Sequence, residues 1–295
     1  MPYIEYKEIN FRPDSRALIE KINSILDDYN KQGYKLTLRQ VYYQLVARAV
    51  IPNNERSYKN LGNLISDGRI AGLIDWDSIV DRTRSLKNLP HWENPSSFLK
   101  SAIPQYQTDL WKDQPFYVEV WVEKDALVDV VGKACKKFDV PYFSCRGYTS
   151  QTEMWSAAQR MISKSSDEGK TVVVIHLGDH DPSGIDMSRD IEDRLNFFAA
   201  NIEFERIALT IEQISEYSPP PNPAKITDSR ARAYIDRYGN ESWELDALEP
   251  RVLDDLISEK ILSYCHTGLF EKATDKLEKE RNKLTEAARK LAEGL

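Results

Sequence analysis

The sequence predicts an α/β domain with helical additions at both ends, and three observations carry that reading. Between Phe116 and Leu209, short apolar runs alternate with stretches of helical length, the pattern of a parallel sheet with crossover helices. Ahead of them, residues 13–66 carry three helical periodicities in close succession. Behind them, from Ser218, a proline-rich loop gives way to charged, helix-periodic sequence.

The first helix, 13–31, lines up Leu18, Ile19, Ile22, Ile25 and Leu26, with Pro13 and Asp14 opening it and Gly33 closing it. The second, TLRQVYYQLVARA over 37–49, has Thr37 as its N-cap. The third runs from Glu55 to Ser66 and ends near Asp67-Gly68. LIDWDSIVDRTR, 73–84, then reads as a short strand and wing. Three helices and a wing in this order predict a winged helix-turn-helix over residues 1–87. Pro90, Pro95, Pro104 and Pro115, with little periodicity between them, make 88–115 a linker with some local structure.

The sheet domain is expected over 116–215. Its strands fall at 116–122, 142–145, 171–177 and 202–209, and its helices at 125–138, 151–163 and 184–198. Residues 216–295 form an extension: the loop SPPPNPAKITD, the helical stretch WELDALEPRVLDDLISEKIL and one long charged helix. The apolar positions of that last helix follow 3–4 spacing, broken near Arg281, which predicts docking along one face.

Hydrophobic content of 41% with 29% charge indicates a folded soluble protein. No apolar run reaches the length of a membrane span, and MPYIEYKEINFRPD lacks the features of a secretory leader, so a cytoplasmic protein with no membrane partner is expected. Three cysteines without C-x-x-C spacing suit a reducing compartment and give no zinc site. The net charge of −7, taken whole, argues against a generic nucleic-acid binder, but its distribution matters more. Residues 31–60 hold six basic residues and one acid, Glu55. A locally basic module joined to an acidic one fits a DNA-handling enzyme.

The acidic module carries the strongest motif. GDHDPSGID (178–186) follows the apolar run TVVVIHL, so a buried strand delivers Asp179 and Asp181 to its carboxyl edge. Side chains alternate along extended chain, which puts both carboxylates on one side. Ligands of open α/β sheets bind at that edge, and Mg²⁺ takes one or two carboxylates with water and phosphate oxygens. An acidic turn with Pro182 as a stop and Ser183 as a cap needs no metal. Glu123, at the end of strand 116–122, favours the metal: two strands ending in carboxylate describe one cluster. His180 alternates away from the aspartates and is not expected to be a ligand. Asp186 lies one turn into the next helix, as an outer neighbour of the cluster or as a surface acid. Arg146, Tyr148, Thr149 and Ser150 follow a strand at the same edge, within reach of a phosphate.

A second constellation sits on helix 37–49. Leu38, Val41, Tyr42, Leu45 and Ala49 form its core stripe, and Tyr43 falls off that stripe beside Arg39, one turn earlier. The helix is therefore expected to bury Tyr42 and present Tyr43 with a guanidinium alongside. A surface Tyr–Arg pair needs no purpose; a phenolic nucleophile does need a cation, since free tyrosine has a pKa of about 10.

RQVYY on such a helix, then VEK, then GDHDPSG, resembles the A subunit of DNA topoisomerase VI and the related meiotic double-strand-break transesterase. The resemblance covers roughly residues 30–210. It implies a winged helix carrying the nucleophile, Tyr43, with Arg39 beside it, and a TOPRIM domain holding Mg²⁺ on Glu123, Asp179 and Asp181. It implies a type IIB cleavage of double-stranded DNA through a 5′-phosphotyrosyl link, with Glu123 as an alternative general acid. It further implies a homodimer, each site pairing Tyr43 of one protomer with the metal of the other, and a separate ATPase B-type subunit. The chain departs from the family in being short, in its sequence after Ser218, and in lacking a G-x-x-x-x-G-K-[ST] loop. That favours a stand-alone A-like protein and leaves strand passage open. A TOPRIM nuclease that directs water at phosphate, and a non-catalytic DNA-binding module, remain the rival expectations.

Overall fold

The computed structural model describes residues 3–80, 89–198, 200–224 and 230–293. It is a mixed α/β fold around one four-stranded parallel sheet. Helices α1 (Pro13–Lys31), α2 (Leu38–Ala47) and α3 (Glu55–Ile70) come first. Thr37 caps α2 through a capping box with Gln40, and Asn54 caps α3. Ile22, Leu26, Leu36, Val41, Leu45, Leu61 and Ile74 fill the core between these helices.

The segment expected as strand and wing runs as turns over its described part, 73–80, with a single bridge from Ile79 to Leu36. Local bonds explain this: Asp75 accepts from the Asp77 amide and the Ser78 hydroxyl, offering the backbone a turn in place of a ladder. Residues 81–84 of that expectation lie outside the described residues.

The expected linker contains α4 (Pro95–Ala102) and is fastened at several points. Leu110 and Trp111 enter the core of the sheet domain, and Ser96 donates to the Ala288 carbonyl of the last helix.

The sheet comprises β1 (Phe116–Val122), β2 (Tyr142–Ser144), β3 (Thr171–Leu177) and β4 (Glu203–Ala208), in the order β2-β1-β3-β4 with every pairing parallel. Helix α5 (Val128–Lys137) packs one face, while α6 (Gln151–Ser166) and α7 (Pro182–Phe197) pack the other. Val118, Val120 and Val122 point to the first face and Trp121 to the second, as strand alternation requires.

The carboxyl extension closes on this body. After α8 (Ile211–Tyr217), residues 222–223 (β5) and 241–242 (β6) pair antiparallel across α9 (Ala231–Tyr238). Helix α10 (Pro250–Tyr264) buries Leu253, Ile257 and Ile261 against the α5 face. Helix α11 (Thr267–Glu293) lies along the linker, with Arg281 donating to the Tyr106 and Pro104 carbonyls. The residue that breaks its apolar pattern is therefore a docking contact. Among the described residues, no helix is long and apolar enough to cross a membrane.

Candidate active site

The strand order sets the position of the site. From β1 the chain crosses to β2 on one side, and β3 sits on the other side, so the connections diverge between β1 and β3. That divergence opens a crevice at the carboxyl edge of the sheet. Val122 and Leu177 end the two strands in register, and the residues beyond them are Glu123 and Gly178-Asp179. Glu123 Oε2 accepts from the Asp179 amide at 2.9 Å. The structure thus brings the first two predicted carboxylates together.

Asp181 has a structural task as well. It is the N-cap of α7, accepting from the Gly184 amide at 2.6 Å, with Pro182 behind it in the first turn. The cap is Asp181 and not Ser183. Gly184 is required by close approach: a Cβ there would stand 2.2 Å from the Asp179 carbonyl and 3.0 Å from Glu123 Oε2. Arg206, on β4, is half-buried beneath the motif and donates to the carbonyls of Gly178, Asp179 and Gly184. Strand periodicity could not reveal it.

Burial, then the neighbouring Asp179 carboxylate, pushes Glu123 up to about 7. Burial likewise pushes Asp179 up to about 6, although Lys124 at 2.9 Å and the Leu245 amide at 2.8 Å both favour its charged form. Two crowded carboxylates that resist ionisation are a donor set a hard divalent cation relieves, so Glu123 and Asp179 fit Mg²⁺ in chemistry. Among the described residues, however, no group of three metal-type side chains is gathered closely enough to hold an ion. One Asp181 oxygen is taken by its cap and one Asp179 oxygen by Lys124, and Glu123 feels the charge of both aspartates.

His180 turns away from the aspartates, as alternation requires. Its Nδ1 meets the Tyr234 hydroxyl at 2.8 Å among Tyr234, Tyr238 and Trp243. Asp186 is a partly exposed acid bonded to Arg189 and Tyr148. Of the four residues considered for phosphate contact, Arg146 pairs with Asp125 and Thr149 is buried.

Tyr43 corrects one expectation. It is not presented to solvent: it is 4% exposed, as buried as Tyr42, with the two rings edge to face at 5.3 Å. The helical wheel considered one module, whereas a strap from the carboxyl extension, Trp243–Leu248, covers the second flank of α2. Ala247 of this strap packs into the helical core. Arg39 lies beside Tyr43 as expected, its guanidinium carbon 5.9 Å from the ring centre. It favours the phenolate but is outweighed, being already paired with Glu244 and Asp246. Burial and those two carboxylates push the Tyr43 hydroxyl up to about 12, against Arg39.

The strap also engages Lys124, which sequence reasoning passed over as the neighbour of Glu123. Its ammonium reaches Glu244 at 2.8 Å, Asp179 at 2.9 Å and Asp246 at 3.1 Å, one partner for each donor. Burial alone would lower its pKa, but Asp246, Asp179 and Glu244 outweigh burial and hold it charged. A cavity of about 850 Å³ opens onto this network, lined by Tyr43, Arg39, Lys124, Asp179, Asp181 and Glu244. No protein-family model matches the chain, and no curated protein matches it.

Proposed function

We propose that this chain is a Mg²⁺-dependent DNA transesterase of the topoisomerase VI A type, cutting duplex DNA through a 5′-phosphotyrosyl link at Tyr43. One observation carries the reading: a tyrosine–arginine pair from the amino-terminal helices and the Asp-x-Asp carboxylates, some 136 residues downstream by their numbering, line one cavity of a single chain. Helices α1–α3 supply the winged-helix role and dock DNA through the basic 31–60 face. The sheet domain supplies the TOPRIM role.

In the proposed step the Tyr43 oxygen attacks a backbone phosphorus as the P–O3′ bond breaks. Tyrosine gives up a proton and the 3′ oxygen gains one, so the step is neutral in protons. Glu123, raised to about 7 by burial and Asp179, holds a proton near neutral pH and suits the role of donor. Arg39 stabilises charge on the phosphate once it is free of its carboxylate partners. With Glu123 as the donor, Asp179 and Asp181 would hold Mg²⁺, which would neutralise charge on the reacting phosphate; with Glu123 as a third ligand, the proton would come from solvent. Each chain carries one such tyrosine, so a double-strand break calls for two copies, each with its site formed within one protomer and not across two as the resemblance implies. The resemblance adds a B-type ATPase for strand passage.

The test is incubation with supercoiled plasmid and Mg²⁺, with and without ATP, followed by protease. Wild type should release linear DNA only after proteolysis, and Tyr43→Phe should give neither cut nor adduct. One observation favours a second reading, a hydrolytic nuclease: Tyr43 is buried and its hydroxyl is harder to ionise than free tyrosine. Cleavage that persists in Tyr43→Phe without an adduct would establish that reading and sink the first.

A further inference from the structure

We propose that Arg39, Lys124 and Tyr43 form a cradle for a phosphate group, and that in this closed arrangement the Glu244 carboxylate fills it as an internal stand-in. Arg39 Nη2 and Lys124 Nζ converge on the same oxygen, Glu244 Oε2. Against burial, which alone would raise it, Lys124 first and then Arg39 and the Tyr43 hydroxyl hold Glu244 down at about 2. A fork-shaped guanidinium and a point-charge ammonium around one oxyanion are the donor types that bind phosphate elsewhere.

The two strap acids differ in a way that assigns the roles. Asp246 is fully enclosed and bridges Arg39 and Lys124 from behind, while Glu244 is a quarter exposed and lines the cavity. Asp246 is the anchor and Glu244 the exchangeable occupant. The strap backbone is fastened on both sides of Glu244, by the paired His180–Trp243 amides and by the Leu245 amide on Asp179. The Glu244 side chain can therefore swing out while its backbone stays.

Charge accounting supports an exchange. A phosphodiester carries one negative charge, the same as the carboxylate it would displace, so the swap leaves the cavity's balance unchanged. Entry without displacement would place a phosphate beside Glu244, Asp246, Asp179 and Asp181, with Arg39 and Lys124 as the cations among the described residues that line the cavity.

The identity of the phosphate as DNA rests on the proposed function; the cradle itself does not, and the experiment separates the two. The first arm is thermal unfolding in chelator, comparing inorganic phosphate with chloride at matched ionic strength. Wild type should show no phosphate-specific rise in Tm, Glu244→Gln should gain one, and adding Lys124→Gln should remove it. The second arm is anisotropy of a labelled duplex in chelator. Glu244→Gln should bind on the order of tenfold tighter, the size of a charge-assisted contact, with a salt slope steeper by about 0.9 per phosphate engaged. Glu241→Gln removes the same charge from an exposed position three residues earlier and should leave affinity near wild type.

Equal phosphate responses in wild type and Glu244→Gln overturn the cradle. Equal tightening by Glu241→Gln overturns it too, by showing a general charge effect. A phosphate response without DNA tightening keeps the cradle and counts against the DNA reading. If Glu244→Gln melts too low for the assay, Glu244→Asp keeps the charge, loses the reach to both cations, and serves the same comparison.

Discussion

Gly184→Ala offers a sharp test of how the carboxylate motif is packed. The added methyl would sit 2.2 Å from the Asp179 carbonyl oxygen, 3.0 Å from its carbon and 3.0 Å from Glu123 Oε2. None of these can yield freely. The carbonyl is held by Arg206 at 2.6 Å, and the Glu123 carboxylate by the Asp179 amide at 2.9 Å. Relief therefore means moving backbone by about 1 Å, which costs about 1–3 kcal/mol in a well-packed site. Alanine's helical preference returns at most ~1 kcal/mol, and less in a first turn. The net is a loss of about 2 kcal/mol. For a chain of this size that lowers Tm by roughly 4–8 °C, at about 2–4 °C per kcal/mol. Gly62→Ala is the matched control: it also lies within a helix, α3, but its Cβ would meet only Leu38 Cδ2 at an ordinary 3.5 Å. It should raise stability by up to ~1 kcal/mol. Differential scanning calorimetry of both variants decides. A Gly184→Ala protein that melts with wild type would refute the close approach between α7 and the Asp179 turn.

Three further outcomes follow from the same geometry. Asp181→Asn should keep stability, since asparagine caps as well as aspartate, whereas Asp181→Ala should lose about 1 kcal/mol in urea unfolding; loss of cleavage in both would assign the carboxylate a task beyond capping. Arg206→Leu should be more damaging than either, because the Gly178, Asp179 and Gly184 carbonyls all lose a part-buried charged donor, about 1 kcal/mol for each bond; denaturant midpoints within a few tenths of wild type would contradict its place in the motif. Glu123 binds its proton more tightly folded than unfolded, so its contribution is full below the unfolded value and fades as pH rises through about 7. In chelator, Tm should therefore fall between pH 5.5 and 8, and Glu123→Gln should flatten that fall; an unchanged slope in the variant would remove Glu123 as its source.

The two central strands, β1 and β3, were legible because each is a short, largely apolar run whose two faces are both covered, and because acid or Gly closes it. β1 and β3 fall on 116–122 and 171–177, as the sequence predicts. Helix α1 matches 13–31 for the same kind of reason: Pro13 can only begin a helix, and the polar residues after Lys31 have no core to face. Glu123, Asp179, Asp181, Arg39 and Tyr43 were legible as chemical types at element ends and on a helix face. Their partners were not. Glu244 and Asp246 sit in WELDALEP, where periodicity shows only a helix approaching, and they meet Arg39 at a separation of about 200 residues. Local pattern has no means of registering a loop that folds back across a module boundary. The exposure of Tyr43 failed for this reason: the wheel found the correct face, and a distant segment covers it.

The state of Tyr43 is consequently a property of the strap as much as of the helix that carries it. Its hydroxyl is held protonated by three influences, burial first and then Glu244 and Asp246. The strap supplies both acids and, through Ala247, part of the burial. Withdrawal of Glu244 alone would relax one of the two acid terms and leave Arg39 with Asp246 as its remaining carboxylate partner. Withdrawal of the whole strap would also uncover the ring and free Arg39, and all three influences would weaken together. The same movement would release Lys124 from two of its three partners and leave it to Asp179. A single segment thus couples the readiness of the tyrosine to the availability of the cations beside it. In the proposed enzyme, a phosphate in place of Glu244 would keep the charge beside Tyr43 unchanged, so a nucleophile able to break DNA would stay masked until the strap itself withdrew.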